Sequence, residues 1–132
     1  MSIAERKRIR KLLSDLNRQR LYTFPEPRCS LDAPREHGVY IIRNSRGRVV
    51  HVGRTYRGKA GLLQCLRNHL AAQSSFVVAF LDGDGSRLRN GYTFQYLKVR
   101  DERERALLEY LATAWHCPKH LGVHASRGAQ AK

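Results

Sequence analysis

Tyr40, His51, His69 and Glu109 are a phenol, two imidazoles and a carboxylate, a set that can move protons beside a phosphodiester. An imidazole, with an ordinary pKa of about 6.5, accepts a proton near neutrality more readily than a phenol at about 10. Tyr40 closes the triplet Gly38-Val39-Tyr40, and His51 opens the triplet His51-Val52-Gly53. Directly after the second triplet, Arg54, Arg57 and Lys59 make a basic, glycine-containing loop that could clamp a phosphate or simply be solvated. Together these residues could do general acid–base work beside a bound anion.

Several elements must hold such a site together. Gly38 to Arg43 is a β-branched run, Asn44-Ser45-Arg46-Gly47 has the chemistry of a short turn, and Arg48 to Gly53 reads as the returning strand. Antiparallel pairing brings Tyr40 and His51 into one region although eleven positions separate them. Gly61 to Ala72 reads as a helix with a core stripe of Leu62, Leu66 and Leu70, joined by Leu63. Cys65 and His69, four apart, share a different face of it. Ser75 to Leu81 is apolar and of undecided type, Asp82 to Gly85 is a loop, and Tyr92 to Val99 alternates like a third strand. The last helix runs from Asp101 to about Trp115. It carries Asp101, Glu102 and Glu104 where the macrodipole favours anions, places Leu108, Leu111 and Trp115 at core spacing, and stops at Pro118.

Ahead of this block, Ser2 to about Arg20 has Ile9, Leu12, Leu13 and Leu16 at helical spacing among Arg6, Lys7, Arg8, Arg10 and Lys11. This basic amphipathic helix either lies along a phosphate backbone or packs by its leucines with its charges solvated. Tyr22 to His37, with Pro25, Pro27 and Pro34, reads as an irregular linker. The expected organisation is a helix and linker over residues 1–37, one domain over 38–122, and a flexible tail over 123–132.

Lysine and arginine outnumber the acids 25 to 11, a formal charge of +14 that calls for a polyanionic partner. Nucleic acid leads, with solubility or an anionic membrane surface as the alternatives. No apolar run reaches the roughly 18 residues of a membrane span, so a soluble cytoplasmic protein is expected. Cys29, Cys65 and Cys117 are odd in number and form no Cys-x-x-Cys pair, which argues for reduced thiols.

The two triplets, their hairpin spacing, the helix with His69 and the later helix with Glu109 resemble the GIY-YIG nuclease family over roughly residues 38–122. The resemblance implies an α+β fold with a small three-stranded antiparallel sheet flanked by helices. It also implies hydrolysis of DNA phosphodiesters with one Mg2+ or Mn2+ ion. Carried over by position, Tyr40 orients or deprotonates the attacking water, His69 contacts a phosphate oxygen or that water, and Glu109 is the metal ligand. At Glu109 the competing reading is an ion pair with Arg105, four residues earlier. The family's second tyrosine falls on His51, which leaves the identity of the base open. Its usual catalytic arginine falls on Cys65, so the cation must come from Arg54, Arg57 or Arg67, or be missing. The alternative function is therefore a catalytically degenerate module that binds nucleic acid. His120 is the nearest counterpart to the family's late polar residue.

Two other clusters compete. His116, Cys117, His120 and His124 have spacings zinc could use, but they straddle Pro118 at a helix end. The run from Asp82 begins like a calcium loop and then fails, with Arg87 at the sixth position and Thr93 at the twelfth.

Overall fold

The computed structural model describes residues 2–56 and 61–121. Four helices and four strands follow in the order α1 (Ile3–Asn17), β1 (Tyr22–Thr23), β2 (Gly38–Arg43), β3 (Val49–Arg54), α2 (Gly61–Leu70), α3 (Ser75–Phe80), β4 (Thr93–Lys98) and α4 (Glu102–His116), with a 3-10 turn at Gly85–Arg89. The strands form one antiparallel sheet in the order β1-β4-β2-β3. The class is the expected α+β, with one strand more than the resemblance implied. The added strand is β1, from the segment read as irregular: Tyr22 stacks on Phe94 and Tyr96 at 5.4 and 5.6 Å, and these contacts fix a pairing too short to leave a period in the sequence.

Both faces of the central strands are covered. Val39, Ile41 and Val52 pack against Ile9, Leu12, Leu13 and Leu16 of α1 and against Leu108 and Ala112 of α4. The N-terminal helix thus spends its leucines on the core. Tyr40, Ile42 and Phe94 face the other way, onto Leu62 and Leu66 of α2 and Phe76 and Val77 of α3. Side chains alternate across a strand, so Tyr40 lies on the α2–α3 side.

Local chemistry sets the boundaries. Ser2 caps α1 by accepting from the Glu5 N–H, Ser74 caps α3 through Val77, and Asp101 caps α4 through Glu104. At its far end α4 stops in a left-handed residue, Cys117, and Pro118 cannot continue the helix. Trp115, at core spacing in the sequence, is 69% exposed. The buried stripe Arg105, Leu108 and Ala112 ends a turn earlier, because periodicity names a face and not how far the partner surface extends.

Candidate active site

The hairpin β2–β3 brings its two triplets together on one face. Tyr40 pairs with Gly53, and His51 pairs with Ile42. The Tyr40 ring lies directly over Gly53, where an added Cβ would collide with Cζ and the hydroxyl, so only glycine lets the phenol lie flat. The register slips between Ile42 and Arg43, leaving Val50 as the extra residue of a bulge. The Val50 carbonyl accepts the His120 N–H at 3.3 Å, which sets His120 beside His51.

These side chains form one hydrogen-bonded chain. His69 Nδ1 meets Ser74 Oγ at 2.7 Å, and His69 Nε2 meets the Tyr40 hydroxyl at 2.8 Å. The same hydroxyl lies 3.4 Å from His51 Nε2, at the long edge of hydrogen bonding. His51 Nδ1 faces His120 Nδ1 at 2.8 Å, and His120 Nε2 meets Ser75 Oγ at 3.0 Å. With neutral rings each imidazole has one donor and one acceptor, so the protons can all point from Ser75 toward Ser74 or all the reverse.

Burial keeps this chain uncharged. It lowers the pKa of His51 well below the ordinary range, with His69 and His120 adding to the effect, and lowers His69 to about 4, with help from His120. His120 is also depressed by burial. The Tyr40 hydroxyl is pushed well up by burial and, more weakly, by Cys65 and Glu109. At neutral pH the resting cluster is a phenol among neutral imidazoles.

Glu109 faces the cluster from α4. Its Oε1 accepts from Arg54 Nη1 at 3.1 Å, and both side chains are 17% exposed. Burial raises the Glu109 carboxyl, and the Arg54 guanidinium pulls it back down. Arg54 itself lies over the Tyr56 ring at 4.7 Å and the Tyr110 ring at 5.3 Å. The Arg105–Glu109 pair does not form: Arg105 is buried and donates to the carbonyls of Val99 and Arg100.

A cleft of about 810 Å³ gathers Tyr40, His51, Arg54, His69, Glu109 and His120 along its walls, together with Cys65. Arg67 is exposed on α2 and does not line it, as a position two residues from Cys65 is turned roughly 200° around the helix. Arg57 and Lys59 lie outside the described residues, as do His124 and the 123–132 tail. The zinc spacing disperses: His116 bonds Asn17 Oδ1 at 2.7 Å, His120 turns to His51 and Ser75, and Cys117 is exposed. Ser74 and Ser75 were missed in the sequence; the capping pattern of a serine before an apolar run could have flagged Ser74, and nothing local marks Ser75.

Among the described residues no group of three or more His, Cys, Asp or Glu could hold a metal ion. A hard cation with one carboxylate, its other ligands being water and substrate oxygens, remains compatible with Glu109. The Glu109 carboxylate lines the cleft, held by Arg54. No described helix is long and apolar enough to cross a membrane.

Over 87 residues the chain is 29% identical to UvrABC system protein C of Nitratidesulfovibrio vulgaris, a match covering 66% of this chain and 12% of that protein. The chain thus corresponds to a small fraction of that relative's length. No family model and no solved structure matches.

Proposed function

We propose that this protein is a nuclease of the GIY-YIG type that hydrolyses DNA phosphodiesters with the help of one Mg2+ or Mn2+ ion. The observation that carries the reading is the convergence of Tyr40, His51, His69, Arg54 and Glu109 on one cleft from four separate elements. The distant likeness to UvrABC system protein C agrees loosely with it, and the +14 charge suits a polyanionic substrate.

In this mechanism Tyr40 relays a proton rather than resting as a phenolate. Its hydroxyl accepts from the attacking water while donating to His69 Nε2, 2.8 Å away. An anionic phosphate beside the buried imidazoles raises their depressed proton affinity at the moment they are needed. His51 holds the other side of the Tyr40 oxygen, and His120 holds His51. Arg54 supplies the cation for charge developing on the phosphate, the part that Cys65 cannot play. Glu109 is the ligand for the metal ion, which when bound polarises the phosphate and stabilises the leaving oxygen.

The second reading, a module that binds nucleic acid without chemistry, draws on Cys65 and on the engagement of Arg54 with Glu109. Cleavage of labelled single-stranded, duplex and branched DNA, with Mg2+ or Mn2+ added or chelated, separates the two. Turnover that disappears with chelation supports the nuclease. Binding without turnover on any substrate supports the module.

A further inference from the structure

On the far side of the ridge formed by Cys117 to His120 lies a second concavity of about 650 Å³. Arg43, Arg46, Arg48 and Lys119 line it with His116, and no carboxylate does. The ridge residues split between the two cavities: Lys119 lines this groove, His120 lines the cleft, and Cys117 lines both. The groove is thus continuous with the wall of the candidate active site.

Its cations are held out but not neutralised. The Asn44 side chain accepts the Arg46 and Arg48 backbone N–H groups at 3.0 Å each, fixing the hairpin tip that carries them. Arg43 is anchored by Gln95 Oε1 and the Gly47 carbonyl. None of the four enters an ion pair among the described residues, and neither do Arg6, Lys7 and Arg10 of α1, whereas Arg8, Lys11 and Arg18 of α1 and its C-cap and Arg103 of α4 do. What sets the groove apart is that its cations share one concavity with no carboxylate. The C-terminal end of α4 contributes about −0.5 of a charge here, far less than four full cations supply.

We propose that this groove binds the phosphodiester backbone of the same nucleic-acid strand a few nucleotides from the scissile bond, so that the strand crosses the Cys117–His120 ridge between groove and cleft. The inference rests on the nuclease reading for its choice of ligand. Each phosphate neutralised in the groove releases condensed counterions, so the groove sets part of the salt dependence of binding.

The test is fluorescence anisotropy of labelled DNA 6 and 12 nucleotides long, titrated with salt in the presence of chelator so that no cleavage occurs. The variants are Arg46→Ala/Arg48→Ala/Lys119→Ala and, removing equal charge from exposed positions of α1, Arg6→Ala/Lys7→Ala/Arg10→Ala. Circular dichroism checks that each stays folded. The groove variant should flatten the slope of log affinity against log salt by about 2, at roughly 0.7–0.9 per phosphate contact, and lose the affinity gained between the short and long DNA. The α1 variant should keep that length-dependent gain. Equal losses in both variants, or an unchanged slope and length dependence in the groove variant, would overturn the proposal. Absence of metal-dependent cleavage by the native protein would count against the nuclease alone, since the groove is read from binding.

Discussion

Arg54 at the end of β3 reaches Glu109 on α4 and binds its carboxylate at 3.1 Å, between the rings of Tyr56 and Tyr110. This one contact ties the second triplet to the helix carrying the metal-ligand candidate. It also holds a guanidinium in the cleft where Cys65 offers none.

Arg54→Ala should therefore lower the cleavage rate by about 10²–10³, the usual loss for a transition-state charge stabiliser, while Arg67→Ala leaves it near the native value. Single-turnover rates on one substrate decide this; equal losses at both positions would reject Arg54 as the cation. Arg54→Ala also leaves Glu109 half-buried without its counter-charge, at a cost of about 1–3 kcal/mol by urea unfolding.

Gly53 makes room for the Tyr40 ring, so Gly53→Ala displaces the hydroxyl from His69. Misplacement by about 1 Å can cost roughly 10²-fold in rate, and overpacking costs about 1–3 kcal/mol in stability. Parallel measurement of cleavage and unfolding should find a folded protein with little activity. Native-like turnover in Gly53→Ala would show that the Tyr40 position is not critical.

The buried histidines make stability fall in mild acid. Their folded pKa values lie below the unfolded value of about 6.5, so below that pH the unfolded chain binds protons that the folded chain refuses, and stability rises with pH across the window. For His69, lowered to about 4, the full effect is of order 3 kcal/mol. Urea midpoints should be flat above pH 7 and fall steadily from about pH 6.5 toward 4, and His69→Gln should flatten that fall. A native midpoint constant across the window would mean that the imidazoles are not buried neutral.

The sequence made the hairpin, α2, α4 and the convergence of Tyr40 with His51 legible, because triplets, turn residues and helical periods are local signals. Glu109 stood out in the sequence as a lone carboxylate among apolar residues, but its ion-pair partner did not: the competing reading could offer only Arg105, the helical neighbour, whereas Arg54 arrives through packing of β3 on α4. The same limit hid β1, which exists through stacking with Phe94 and Tyr96. It also hid the His51–His120–Ser75 arm, which depends on a bulge that frees the Val50 carbonyl and on a turn after α4. Contacts made across long sequence separations leave no spacing to read.

Cleavage of labelled DNA by native protein and Glu109→Gln, with a titration of Mn2+, tests the central claim most directly. Glutamine keeps the size of the side chain and removes the charge that would hold the ion. The account predicts metal-dependent cleavage by the native protein and a loss of about 10²-fold or more in the variant, with DNA binding retained. Equal cleavage by both proteins, or none by the native protein on any DNA form, would contradict it.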